Sequence, residues 1–315
     1  MKLVTYRGDS GPRTGALIGD KILDLQQAHI RAHGGEHAAL TTMQSLIEAD
    51  GLKLAQSLEK SHRPEDLVAL KPSGHLLAPI PVPIQMRDAL CFWDHLNGAL
   101  RARERQGFNV DERERALKAT FYQCPFWYTT NRFSVVGPDE TITWPSYSKE
   151  MDYELEMAIV IGKGGRNIPV DTAREHIFGY SIFNDFSARD TQRLEGAFGI
   201  GFSKSKGFDN SNGLGPCIVT ADEFNPYTAR MISRINGEVQ CDSTCATINH
   251  KFEEVIAWLS KDEQLHPGEI FCSGTVGGGC GLETGRLLKN GDFIELEIVG
   301  IGKLKHQIRV ANTGE

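Results

Sequence analysis

The sequence has no run near the roughly 18 apolar residues of a membrane span. Its first residues, Met-Lys-Leu-Val-Thr-Tyr-Arg, lack the apolar core of a secretory signal. Positive charge is also short: 34 Lys and Arg stand against 41 Asp and Glu, a formal charge of −7. Nucleic acids and anionic membranes both need a basic patch, so neither is an expected partner. There is no Cys-x-x-Cys and no Gly-x-Ser-x-Gly, and the glycine-rich stretches complete neither a P-loop nor a dinucleotide fingerprint. Seven cysteines is an odd number, and only Cys241 and Cys245 lie close together, so no disulfide framework is expected. These features point to reduced thiols and a cytoplasmic protein.

Glycine is in excess. The 33 glycines of 315 residues make up about 10%, against a usual value of about 7%. They are uneven, with 11 in residues 1–150 and 21 in residues 151–302. The length fits roughly two domains. Residues 1–75 read as a small N-terminal domain of short strands, with a helical period through Leu40, Met43, Leu46, Ile47 and Leu54. A linker rich in proline, with Pro72, Pro79, Pro81 and Pro83, leads into residues 76–315. From Asp152 onward the pattern is mostly β: apolar runs at 155–162 and 178–185, a hairpin turning at Asn236-Gly237, and a terminal hairpin around Gly300–Gly302. The fold class expected is β-rich α+β, a mixed β-roll. Residues 101–118 are a mixed-charge run that reads either as a solvated surface segment or as a lid over a site.

Chemistry concentrates in two segments. Asp152-Tyr-Glu154-Leu-Glu156 places its carboxylates two residues apart, on one face if the segment is a strand. Such carboxylates repel one another in a low-dielectric site unless a cation lies between them, and an acidic solvent-facing strand is the alternative. Asn184-Asp185-Phe-Ser-Ala-Arg189-Asp190-Thr-Gln192 ends an apolar strand and brings a further carboxylate, Asp185, which could instead cap a helix. Oxygen-only ligands suit Mg²⁺, Mn²⁺ or Ca²⁺. His29, His33 and His37 share a helical spacing that suits either a metal or an exposed face.

The order and spacing of four segments resemble the fumarylacetoacetate hydrolase family. They are Asp-Tyr-Glu-Leu-Glu (152–156), the 184–192 segment, Ser-Lys-Ser-Lys-Gly-Phe-Asp (203–209) with Gly215-Pro216, and Gly-Glu-Ile-Phe-Cys-Ser-Gly-Thr (268–275). The resemblance covers about residues 80–315 and implies the roll of that family with a small N-terminal domain, as a homodimer. It implies a divalent cation, Mg²⁺ first, on Glu154, Glu156 and Asp185. The substrate would be a small oxo acid or diketone touching Arg189, Gln192, Tyr128 and Thr275. Lys206 would stabilise negative charge on it, and His95 would activate water. The implied reaction is C–C hydrolysis of a 1,3-dicarbonyl or acylpyruvate in aromatic or ring-cleavage catabolism. Decarboxylation, isomerisation or hydration of a 2-oxo acid, and non-catalytic binding, are the alternatives.

Two departures from the family pattern matter. Members pair the histidine with a glutamate, either at the place of Gly98 or in the segment where this chain has Gly277–Gly279. Glu283 or a carboxylate of 101–118 could replace it. Near Thr130 many members carry a lysine; here Phe126, Trp127 and Tyr128 precede it, which points to a more apolar substrate end.

Overall fold

The computed structural model describes residues 1–71, 74–199 and 201–310. Pro72 and the C-terminal Ala311–Glu315 lie outside the described residues. A twelve-stranded mixed sheet forms the body. Its central strands, Asn212–Thr220, Ile177–Asp185 and Leu155–Ile161, run antiparallel; Ile270–Cys272 and Met86–Ala89 then pair in parallel beside them. The N-terminal strand Lys2–Gly8 pairs with Asn212–Thr220, so the first strands extend this same sheet. A second sheet of five strands contains both hairpins found in the sequence, Arg230–Ile235 with Glu238–Thr244 and Phe293–Ile298 with Gly302–Val310.

Strand Leu155–Ile161 shows how the core fixes the site. All seven of its residues are buried. Leu155, Met157, Ile159 and Ile161 enter one core cluster, shared with the second sheet. Ala158 and Val160 enter the other, shared with the N-terminal helices. Successive strand residues face opposite sides, so Glu156, and Glu154 just before the strand, continue the face of Ala158 and Val160. Apolar packing gives way to carboxylates on that face.

The structure differs from the sequence reading in the helical stretch 40–58. It forms two helices, Met43–Glu48 and Leu52–Ser61. Asp50 has φ 49° between them, and the Gly51 N–H closes on the Leu46 carbonyl at 2.8 Å. That contact ends the first helix. All seven cysteines are free, and among the described residues no helix is long and apolar enough to cross a membrane.

One buried residue far from the site sets a pH limit. His306, on the last strand, is 1% exposed; its Nδ1 faces the Glu140 carbonyl at 3.1 Å, and its Nε2 has no partner. Burial pulls its pKa down to about 4. The unfolded chain therefore binds one more proton between about pH 4 and 6.5, so stability is full above 6.5 and falls as the pH drops. Lowering the pH from 7 to 5 should cost about 2 kcal/mol through this residue. Urea unfolding of wild type and His306→Gln at both pH values checks it: the variant should lose about that much less.

Candidate functional site: a carboxylate cluster beside a histidine–glutamate pair

Four buried carboxylates meet at the ends of the central strands. Asp88, Glu154, Glu156 and Asp185 offer oxygens that all lie within 4.8 Å of one another. Asp88 comes from strand Met86–Ala89, Glu156 from Leu155–Ile161 and Asp185 from the last position of Ile177–Asp185. Helix Arg189–Phe198 starts four residues after Asp185 with Ala188 as its cap residue, so Asp185 is not that helix's cap. The sequence reading had put Asp152 on this face. Instead the strand breaks at Tyr153, and Asp152 pairs through the short strand Met151–Asp152 with Ser187–Ala188. Its carboxylate accepts from the Gly281 and Leu282 N–H groups at 2.7 and 2.9 Å and from Arg189 Nε at 2.7 Å. Asp88 takes the fourth place.

Two cations touch this cluster. Lys206 Nζ donates to Glu154 Oε2 at 2.7 Å and to Asp185 Oδ2. Arg189 bridges Asp152 and Glu154, the latter at 2.7 Å, and holds Gln192 at 2.9 Å. The cluster with Asp152 thus has five carboxylates against two cations. Their protonation follows. Burial works against the Glu154 carboxylate, but Lys206 and Arg189 hold it well below the usual range. Glu156 is pushed well above its usual range by burial and the Asp88 and Glu154 charges. Burial, with the Asp88 and Glu154 charges, also raises Asp185 against the pull of Lys206. The Tyr128 hydroxyl bonds both Asp88 and Asp185. Glu156 Oε2 and Asp185 Oδ1 are buried with no partner. Excess negative charge, orphaned oxygens and an all-oxygen donor set fit a hard divalent cation.

His95 lies on helix Trp93–Arg105, one of the two helices formed around the mixed-charge run. Its Nδ1 is 2.7 Å from Glu283 Oε1, and its Nε2 is 4.0 Å from Glu154 Oε1. With Nδ1–H donated to Glu283, Nε2 keeps its lone pair toward the carboxylates. Burial lowers the imidazole pKa, but the Glu283 hydrogen bond and charge outweigh it and raise the value. Glu283 is held from behind by the Gly278 N–H at 2.9 Å and the Cys280 thiol at 3.4 Å.

The glycines explain how Glu283 arrives. A Cβ on Gly98 would lie 2.1 Å from Glu283 Oε2, so this carboxylate fills the space a side chain at 98 would need. A Cβ on Gly277 would lie 2.7 Å from Asp94 Cβ. The glycine run therefore lets the C-terminal loop press against the histidine helix and deliver the glutamate.

A cavity of about 220 Å³ opens over the cluster. His95, Tyr128, Arg189, Gln192, Lys206 and Thr275 all line it. Thr275 Oγ1 reaches Glu156 at 3.5 Å. Helices Trp93–Arg105 and Asp111–Phe121 cover it, with Leu96, Leu100 and Leu117 facing inward. The aromatic segment contributes only Tyr128 to this cavity: Phe126 is 40% exposed, and Trp127 lies under the Arg87 guanidinium. Thr130 donates to Asn212 at 3.1 Å. His29 sits 4.6 Å from His33 and 5.0 Å from His37 between ring centres. Among the described residues, these three are not one of the sets whose ligand atoms lie close enough to share an ion.

Asp88 was missed because one aspartate on a four-residue strand carries no spacing signal. Its fully buried strand, Met86–Ala89, holding a charged pair was the only hint.

The family model described as Fumarylacetoacetate (FAA) hydrolase C-terminal matches residues 91–309. The chain belongs to the fumarylacetoacetate hydrolase family. Among relatives, it is 29% identical to oxaloacetate tautomerase YisK of Bacillus subtilis, over 98% of this chain and 100% of that one. It is 37% identical to mitochondrial oxaloacetate tautomerase fahd2 of Xenopus laevis over 182 residues, 56% of each chain. The chain spans 56% to 64% of the length of the vertebrate relatives it matches. Among solved structures, a fumarylacetoacetate hydrolase from Exiguobacterium antarcticum superimposes with a TM-score of 0.76 at 25% identity, over 99% and 100% of the two chains. The β-rich α+β roll expected from the sequence is thus the fold of this family member.

Proposed function

We propose that this family member is a divalent-metal-dependent enzyme that moves a proton at the carbon beside a 2-oxo group, interconverting keto and enol forms of a 2-oxo acid. The observation that carries this reading is His95, tied to Glu283 at 2.7 Å, with its free Nε2 turned toward the carboxylate cluster. Glu154, Glu156 and Asp185 would hold the cation, with Asp88 beside them. Bound there, a divalent cation would draw electrons from a chelated 2-oxo acid and acidify the adjacent C–H. His95 Nε2 takes that proton and returns it, and Glu283 stabilises the imidazolium that forms between the two steps. Lys206, Arg189 and Gln192 offset the negative charge that develops on the enolate oxygen. The tautomerase names of the curated relatives agree with this reading.

C–C hydrolysis of an acylpyruvate is the second reading. It is favoured by the same pair, since a histidine backed by a glutamate can also activate water. Mg²⁺ is the expected ion. The exposed Leu194 and Phe198, 72% and 83% accessible on a separate groove along helix Arg189–Phe198, support the homodimer.

The test is spectroscopic. With Mg²⁺ present, the enzyme should accelerate decay of the enol absorbance of oxaloacetate, and chelator should abolish the effect. Cleavage of an acylpyruvate into two acids, with no effect on oxaloacetate, would replace this reading by the hydrolytic one.

A further inference from the structure

We infer that His95, Cys280 and Glu283 form a second metal site, of a softer kind than the carboxylate cluster, which takes Zn²⁺ and thereby switches the histidine off. The effect on turnover rests on the reading of His95 as the base; the binding does not.

One oxygen joins the three side chains. Glu283 Oε1 is 2.7 Å from His95 Nδ1 and 3.4 Å from the Cys280 thiol. The other oxygen, Oε2, is occupied by the Gly278 N–H at 2.9 Å. A nitrogen, a sulfur and an oxygen thus converge, all within 4.8 Å of one another. Zinc bonds such atoms at about 2.0–2.3 Å, so tetrahedral ligand atoms stand roughly 3.3–3.8 Å apart. Only the Nδ1–Oε1 contact has to open, by roughly 0.6 Å on that geometry.

The backbone already fixes these ligands. Cys280 pairs with Glu154 in an antiparallel bridge, and the Leu155 N–H bonds the neighbouring Gly279 carbonyl at 3.1 Å. Glu283 lies in the short helix Gly281–Thr284, whose Gly281 and Leu282 N–H groups are held by Asp152. His95 comes from the first turn of helix Trp93–Arg105.

The donor atoms separate this site from the cluster beside it. Asp88, Glu154, Glu156 and Asp185 offer oxygen alone, which suits Mg²⁺. One thiolate, one imidazole and one carboxylate suit Zn²⁺ and leave a fourth position for water. On binding, the thiol S–H bond breaks, the Zn–S bond forms, and the proton leaves to solvent. The Nδ1 proton cannot stay where zinc bonds. A neutral imidazole carries one proton, so that proton is relocated to Nε2. Nε2 then donates instead of accepting, and the lone pair that faced the carboxylates is gone. Zinc thus disables the base by fixing the opposite tautomer, without displacing the ion in the cluster.

The test is zinc X-ray absorption on Mg²⁺-loaded enzyme given one equivalent of Zn²⁺, with enol decay of oxaloacetate measured on the same samples. Wild type should show a sulfur neighbour at about 2.3 Å. Cys280→Ser and Cys280→Ala should lose it. Cys124→Ser, which changes the one cysteine that is not buried, should keep it. Zinc should slow wild-type turnover by about 10²-fold, on the scale of a positioned base. It should slow the Cys280 variants far less, each against its own zinc-free rate. A wild-type zinc shell of nitrogen and oxygen alone would overturn the site, and this spectrum needs no variant to fold. A sulfur neighbour that survives both Cys280 substitutions would overturn it too. Zinc held through Cys280 with turnover intact keeps the site and removes His95 as the base; inhibition without sulfur keeps the enolisation reading and overturns the site.

Discussion

Glu156→Gln should lower turnover of a 2-oxo acid by about 10³-fold or more, the scale of losing a metal's charge stabilisation. It should do so while leaving the metal-free protein at least as stable as wild type. The two effects have one cause. Glu156 is fully buried, one of its oxygens has no partner, and burial with the Asp88 and Glu154 charges raises its pKa far above that of a free glutamate. An acid whose folded-state pKa is raised stabilises the fold less as the pH rises past the unfolded value, so at neutral pH this group is a burden without a cation. The amide keeps the shape and removes the charge. Thermal melts with and without Mg²⁺ check it. Wild type should gain in Tm with the ion, increasingly as the pH rises because binding displaces protons, and the variant should gain little. A variant that keeps both the Mg²⁺ shift and turnover would remove Glu156 from the centre.

Gly98→Ala should cost activity without costing the fold. The added Cβ would collide with Glu283 Oε2 at 2.1 Å, the end of a flexible side chain that can swing away. Swinging away breaks the 2.7 Å bond to His95. Loss of a positioned base is worth about 10²–10⁴-fold, and Glu283→Gln should fall in the same range. Alanine meanwhile favours a helix interior over glycine by about 0.5–1 kcal/mol, so the melt should hold or rise. A carboxylate supplied from the helix itself tests the cause. Position 98 lies three residues after His95 on the same face, so Gly98→Glu combined with Glu283→Gly should recover at least tenfold over Glu283→Gly alone. An active Gly98→Ala protein would show that His95 works without its partner.

These predictions depend unequally on what the sequence could show. Glu154, Glu156 and Asp185 were legible because strand spacing and an apolar run ending in Asn-Asp are local signals. The break at Tyr153 was not, and it exchanged Asp152 for Asp88. Glu283 lies 188 residues from His95. Their meeting depends on two glycines that admit close contact, and a sequence shows a glycine without showing what approaches it. The run at 101–118 read either as a solvated surface segment or as a lid, because mixed charges alone do not say which side chains face inward. Only the helix phases separate Arg103 and Arg113, which face inward, from Glu104 and Glu114, which do not. The hairpins and buried strands were legible throughout, since turn residues and apolar period are properties of short segments.

The most direct measurement is anomalous diffraction from crystals soaked in Mn²⁺ and oxalate, a mimic of the enolised 2-oxo acid. The structure predicts one manganese peak among the carboxylate oxygens of Glu154, Glu156 and Asp185, with oxalate facing His95 Nε2 and Lys206. No peak at the cluster, or oxalate bound away from His95, would contradict the assignment of these residues to one catalytic centre.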